Sequence, residues 1–186
     1  NYGVYTADMS YCIMNNQTQE SIDYLASLSK LSEKLWMTDL MGSMGVTDRL
    51  EANVGNEDSL TYIMADLQMQ MDDYLEGNDM GHTGAIIFAG AWIESLYLGT
   101  KVNENKKNEK LIMRLSEQAV ILQSLIGSIK QSDVDNEYTD LIQDLEHLNG
   151  TFEGFNLSEE NFMMNDEAIS TLGEEVKMLR TKIVGA

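Results

Sequence analysis

Apolar residues recur at helical spacing along this 186-residue chain, and polar joints separate the apolar stretches. Leu25, Leu28 and Leu31 lie three positions apart, as in the apolar stripe of an amphipathic helix. The pattern predicts helices at 2–15, 20–41, 84–99, 108–131, 134–149 and 158–184, and the last of these is broken near Asn165. A further helix begins after the capping residue Asn56 and stops at Gly77, and a helical turn at 47–53 precedes it. The chain is therefore predicted to be all-α, a bundle or array of six to seven helices.

Two stretches, 2–15 and 84–99, are apolar or small almost all round, and each carries a single acid, Asp8 and Glu94 respectively. A helix with this composition is buried on most of its faces. The stretch 84–99 is too short and too polar for a membrane span. We therefore expect it to be the central core helix of a soluble bundle, in a chain that does not span a membrane.

The same two stretches share a short pattern, an acid followed three positions later by a tyrosine. The pairs are Asp8 with Tyr11 and Glu94 with Tyr97, and each stretch precedes a leucine-striped helix and then an acidic amphipathic helix. This echo indicates an internal pseudo-repeat. The chain is interpreted as a single helical domain, 1–186, with two three-helix units at 2–77 and 84–154 and a closing helix at 158–184.

The chain contains no proline. Proline makes up about 5% of ordinary sequences, and it breaks helices because it lacks the N–H and its ring clashes with the preceding turn. The absence of proline therefore favours uninterrupted helices joined by short polar segments.

The charge balance excludes some partners. Lysine and arginine number 12 against 31 aspartates and glutamates, a formal net charge of −19. Binding to nucleic acid depends on cations that contact phosphates, so a nucleic acid is not an expected partner. An unidentified protein partner is expected. The single cysteine, Cys12, cannot form an internal disulfide and is interpreted as a small buried core residue.

Four residues are the candidate buried polar residues: Asp8, Tyr11, Glu94 and Tyr97. A carboxylate in apolar surroundings must be paired, hydrogen-bonded or protonated. We expect both acids to be more than half buried and hydrogen-bonded. A polar network that fixes the register of the helices explains them structurally, and the alternative is a ligand-binding or catalytic pocket.

No metal site or cofactor is predicted. Asp144 and His147 have the i, i+3 spacing of metal ligands in helical bundles, but the chain lacks the second such pair that a di-iron site needs. The acids from Asp133 to Glu137 begin like a calcium loop, yet Tyr138 stands where glycine should make the turn. Phosphate loops, nucleophile elbows and zinc-protease motifs are also missing from the sequence. The chain is therefore predicted not to be an enzyme.

Three segments, NYGVYTADMSYC, GAWIESLYLGTKV and EEVKMLRTKIVGA, resemble in that order a family of uncharacterised, all-helical, secreted or lipid-anchored proteins of the Bacteroidetes cell envelope. The resemblance implies an exported helical domain, periplasmic or associated with the outer membrane. It implies no established activity and brings no catalytic residues to this chain.

The predicted function is a non-enzymatic binding or scaffold module of the cell envelope. The alternative is a small-molecule-binding or metal-binding helical bundle that uses its buried carboxylates. The alternative requires a cavity that reaches solvent beside Glu94, whereas the scaffold requires that helix to be packed solid.

Overall fold

The structure, a computed structural model, describes all residues except 36, 38–44, 54–55, 134, 156, 158–162 and 186. Its helices are α1 Tyr2–Met14, α2 Thr18–Lys34, α3 Val46–Ala52, α4 Glu57–Gly77, α5 Gly81–Asn105, α6 Glu109–Ser116, α7 Gln118–Ser132, α8 Thr139–Gly154 and α9 Asp166–Val184. The described residues contain no strand. The prediction of an all-α fold is confirmed.

Three asparagines set the starts of helices, because each side chain accepts a hydrogen bond from a backbone N–H in the first turn. Asn56 accepts from Ser59 at the start of α4, Asn108 from Lys110 and Leu111 at the start of α6, and Asn165 from Ala168 at the start of α9. Asn56 therefore acts as the cap that the sequence predicted. Asn165 marks the break predicted near it, and the predicted helical residues 158–162 lie outside the described part.

Several predicted helices differ in their bounds. The predicted helix 20–41 is observed as α2, which ends at Lys34, because the N–H of Met37 bonds the carbonyl of Ser32 at 2.8 Å and closes the helix end; residues 36 and 38–41 lie outside the described part. The predicted helix 108–131 is divided at Glu117 into α6 and α7. Here the Ser116 hydroxyl donates to the carbonyl of Ile112, 2.9 Å away, a side-chain bond that bends helices. The predicted helix 134–149 begins later, at Thr139, because the Asp133 carboxylate accepts the N–H groups of Glu137 and Tyr138 and holds a turn before α8.

The Cα positions divide the chain into two compact units, residues 1–91 and 92–186. The first unit contains α1 to α4 and the start of α5, and the second contains the rest of α5 and α6 to α9. The single domain and the sub-units predicted at 2–77 and 84–154 stay predictions.

The core of the first unit joins α1, α2, α3 and α4. Its buried side chains are apolar, and they include Met9, Ile13, Leu25, Leu28, Val46, Leu60, Ile63, Leu67 and Leu75. The start of α5 approaches α1 so closely that a Cβ at Gly3 would lie 1.8 Å from the carbonyl oxygen of Ile87. Gly90 of α5 lies in the same contact, because a Cβ on Gly90 would lie 3.2 Å from the backbone nitrogen of Val4. Small residues on both helices therefore permit this crossing.

The core of the second unit lies among α5 to α9. Its fully buried residues include Ile93, Leu96, Ile112, Leu122, Ile129, Leu145, Leu148, Leu172 and Val176. Among the described residues of this unit, the polar or charged side chains of Glu94, Thr100, Asn103 and Ser116 are buried with them. The Ser116 hydroxyl also accepts the backbone N–H of Met164 at 3.0 Å, and Asn103 Oδ1 accepts that of Asn108 at the same distance. The buried side chains of Ser116 and Asn103 therefore each bind a backbone N–H from another part of the chain.

Helix α5 is longer than the sequence predicted, 25 residues against the stretch 84–99. By length and composition alone it could cross a membrane, so the prediction that it is too short to do so is wrong. The core helix of a soluble protein has the same properties, and Trp92, Ile93 and Leu96 are buried in the second unit. That the chain does not span a membrane stays a prediction.

Candidate functional site

Glu94 is fully buried on α5 and pairs with Arg180 of α9. Its exposure is 0%, and the Nε of Arg180 donates to its Oε2 across 2.5 Å. Arg180 follows the buried Leu179 on the edge of the apolar stripe of α9, and its side chain is 25% exposed. A long cationic side chain can lie along apolar surface and still reach a buried acid. The negative charge of Glu94 is thus balanced inside the second unit.

Tyr97 lies one helical turn after Glu94 and completes this group. The guanidinium carbon of Arg180 is 4.7 Å from the centroid of the Tyr97 ring, within the range of a cation–π contact. Tyr97 is half-buried. We call Glu94, Tyr97 and Arg180 the Glu94 cluster.

The next turns of α5 lie close against α9. The buried Thr100 donates its hydroxyl to the carbonyl of Tyr97 at 2.8 Å, and a Cβ built on Gly173 would lie 3.5 Å from the Thr100 Cβ. Lys101 donates to Glu104, and this hydrogen bond raises the pKa of Lys101. Helix α9 therefore covers the Glu94 cluster and the turn after it with ordinary close packing.

Asp8 and Tyr11 behave differently from each other. Asp8 is 7% exposed, but Tyr11 is 37% exposed, so its prediction as a buried residue is wrong. Tyr11 lies two turns after Val4 on the same face of α1, and α5 approaches that face at Gly3 and Val4. The face is covered at its first turn and open at Tyr11.

Cys12 is buried, in agreement with the sequence analysis. Burial raises the pKa of its thiol, and the negative charges of Asp8 and Glu20 raise it further. A raised pKa keeps the thiol protonated and poorly reactive. Cys12 therefore acts as a core residue rather than as a nucleophile.

The structure brings Glu94 and Tyr97 together with a residue that the sequence analysis did not assign to them, Arg180. Glu94 belongs to the second compact unit and Asp8 to the first, so each acid is described within its own unit. One signal for Arg180 was present in the sequence. It is a cation at the margin of a regular apolar stripe, in a chain with an acid on an almost wholly apolar helix.

The spacings that suggested metals have other uses. Asp144 accepts from the Lys182 ammonium at 2.5 Å, and His147 Nε2 lies 3.1 Å from Glu175 Oε2, so both link α8 to α9. Asp133 uses both carboxylate oxygens to hold the turn before α8. In the part of the chain that the structure describes, no three His, Cys, Asp or Glu side chains are grouped to hold a metal ion.

Clefts occur elsewhere in the described residues. Two lie in the first unit, one beside Ile13 and Leu60 and one beside Leu28 and Met71. A third lies in the second unit, beside Phe155. None of these three clefts is lined by a member of the Glu94 cluster.

Comparison with models of protein families, with curated proteins and with solved structures found no match to the chain. The resemblance to Bacteroidetes envelope proteins stays a prediction.

Proposed function

We propose that this protein is a non-enzymatic binding or scaffold module of the cell envelope. The observation that carries the proposal is the environment of Glu94. Its carboxylate is 0% exposed and bonded by Arg180, whose guanidinium packs on Tyr97. A catalytic or ligand-binding carboxylate must reach its substrate, whereas this one is used for contact between α5 and α9.

The physical role of such a cluster is to specify one arrangement of two helices. A buried ion pair contributes little net stability, since desolvation of both charges opposes their attraction. An apolar α5 could slide or rotate against the stripe of α9, but a shifted register would leave Glu94 buried without its cation. The cluster thus supports a rigid helical platform, and the envelope location rests on the resemblance of the three segments.

The alternative function, a small-molecule or metal site at the buried carboxylates, makes a different prediction for ligand binding. A ligand that binds the folded state raises the unfolding temperature as its concentration increases. We therefore expect the thermal midpoint to be unchanged by calcium, magnesium or zinc when NaCl holds the ionic strength constant.

The matched variant for this experiment is Glu94→Gln, which removes the charge and keeps the shape of the side chain. A midpoint that rises with metal concentration in the wild type and not in Glu94→Gln would establish the alternative and overturn the proposal. A midpoint that rises equally in both proteins would show that metal binds at a site other than Glu94. That result too would contradict the prediction that the protein has no metal site.

A further inference from the structure

The outward face of α4 is apolar at its centre and acidic at its ends. Tyr62 and Met69 lie two turns apart, and they are 72% and 57% exposed. Asp58 lies one turn before Tyr62, and three acids, Asp72, Asp73 and Glu76, follow Met69; all four acids are exposed. At 100° per residue these six side chains fall on one side of the helix. We call them the outer α4 face.

This face is opposite the buried side of the same helix. Leu60, Ile63, Leu67, Met71 and Leu75 form the buried stripe of α4 and belong to the core of the first unit. An ordinary surface helix has polar residues on its outer side. Tyrosine and methionine are enriched where protein surfaces meet partners, and methionine adapts to different partners. The apolar centre therefore indicates a docking surface.

The charge of α4 defines the partner. Helix α4 contains six acids and no lysine or arginine. Three of the acids lie in its last turns, where the helix dipole is negative and favours cations, and no basic residue is present in the last turn. This arrangement is unfavourable in the isolated protein, and cations supplied by a partner would offset it. Rules of local stability are broken in this way mainly at functional sites.

We propose that the outer α4 face binds a cationic amphipathic helix of a partner protein. The apolar stripe of that helix covers Tyr62 and Met69, and its lysines or arginines lie over Asp72, Asp73 and Glu76. This inference rests on the proposed binding function and adds a surface and a partner chemistry. A second copy of the chain is a poorer occupant, because two chains that each carry −19 repel each other.

The experiment uses the full chain and a fluorescent peptide of about 18 residues, designed as an amphipathic helix with leucines on one face and lysines on the other. Binding is measured by fluorescence anisotropy at about 0.15 M salt. The peptide control replaces each lysine with glutamate. We expect the lysine peptide to bind and the glutamate peptide not to bind.

Two triple variants have the same net charge and test the location. Asp72→Asn, Asp73→Asn and Glu76→Gln alter the outer α4 face, whereas Asp135→Asn, Glu137→Gln and Asp140→Asn alter the second unit. We expect the first triple to weaken binding at least about tenfold and the second less than about twofold. The first triple is also expected to raise the thermal midpoint, which separates lost binding from lost folding. Equal weakening by both triples would overturn the proposal, since it would indicate a general attraction to an acidic surface.

The apolar part of the face has its own test. Tyr62→Ser with Met69→Ser keeps every charge, and we expect it to weaken binding about tenfold. Unchanged binding in this variant would contradict docking on the face. Self-association of the wild type in sedimentation velocity, lost in the α4 triple, would make a second copy the occupant and overturn the cationic partner. None of these results depends on metals or on Glu94, so the proposed function is tested separately.

Discussion

The two members of the Glu94–Arg180 pair have unequal exposure, 0% for the acid and 25% for the base. Removal of the base leaves a buried carboxylate without its cation, which costs about 3–5 kcal/mol in comparable pairs. We therefore expect Arg180→Met to lower the thermal midpoint strongly, as measured by circular dichroism. The double variant Glu94→Leu with Arg180→Met has no buried charge left and is expected to recover most of the loss. A single variant as stable as the wild type would show that the pair lacks the structural role assigned to it.

Gly3 illustrates a different constraint on a single residue. A Cβ at this position would lie 1.8 Å from the backbone oxygen of Ile87, and backbone cannot rotate away as a side chain can. We expect Gly3→Ala to destabilise the protein by about 1–3 kcal/mol or more, because the two helices must separate. Gly127 of α7 is the matched control, since a Cβ added there meets nothing within 4 Å beyond its own helical turn. Gly127→Ala should stabilise the protein by about 1 kcal/mol in urea unfolding. If both substitutions changed the free energy of unfolding in the same direction, the close crossing of α1 and α5 at Gly3 would be contradicted.

Tyr2 provides a dependence on pH. Burial raises the pKa of Tyr2 from 10.0 to about 12, so the folded protein retains a proton that the unfolded chain loses. The stability contributed by the neutral phenol is fully present below pH 10 and is lost as the pH rises to about 12. We expect Tyr2→Phe to lose less stability than the wild type between about pH 9 and pH 12, by at most 2–3 kcal/mol, in urea unfolding. An equal loss in both proteins would contradict this effect of burial.

At the scale of the element, the asparagine caps make a direct prediction. Asn108 accepts hydrogen bonds from the backbone N–H groups of Lys110 and Leu111, at 3.0 and 3.3 Å. Asn108→Ala removes both and is expected to cost about 1 kcal/mol in chemical unfolding. Asn108→Asp keeps an acceptor and places a negative charge at the positive end of α6, so it should be at least as stable as the wild type. Loss of stability in the aspartate variant would show that the amide, rather than the acceptor, matters.

The elements that the sequence could predict are those specified locally. The spacing of leucines, the cap at Asn56 and the break near Asn165 are local to the helices that they define, and these helices are observed. The continuation of α5 to Asn105 was missed because its last residues are polar. Residues outside the helix stabilise that end: the backbone N–H of Asn108 donates to the Asn103 side chain, and Gly173 of α9 packs near Thr100. Contacts of this kind are not visible in the local pattern.

The candidate site shows the same limit. The burial of Asp8 and Glu94 could be inferred from their apolar neighbours in sequence. The partner of Glu94 lies 86 positions away. Helical spacing places Arg180 beside the apolar stripe of α9 and Lys177 and Lys182 away from it, but it does not say which acid that stripe meets. Tyr11 shares its spacing with Tyr97, yet Tyr11 is exposed and Tyr97 packs on a guanidinium. The difference arises from which helix crosses which turn, and that is a property of the tertiary structure.

At the scale of the whole molecule, the excess of acids is unevenly distributed. Residues 1–91 contain 14 acids and 3 bases, and residues 92–186 contain 17 acids and 9 bases. In the second unit cations join helices, through Lys130 with Glu146 and Lys182 with Asp144. In the first unit Arg49 binds Asp66 at 2.6 Å, and α4 has no cation of its own. Repulsion therefore opposes the fold of the first unit more than that of the second.

This imbalance predicts a different response to salt in the two units. Raising NaCl from about 0.01 M to 1 M shortens the Debye length from about 30 Å to 3 Å, which weakens repulsion and surface ion pairs alike. The first unit has more repulsion to lose, so we expect the amide protection of Leu25 and Leu67 to increase more than that of Leu145 and Leu172. Hydrogen exchange followed by mass spectrometry on peptides from each unit measures this difference. The triple variant Asp72→Asn, Asp73→Asn and Glu76→Gln has already lost part of the repulsion, and its first unit should gain less from salt than the wild type. If amide protection in the first unit increased with salt equally in the variant and the wild type, screening of these acids would not be the cause. Stronger hydrophobic contacts in concentrated salt would then explain the increase.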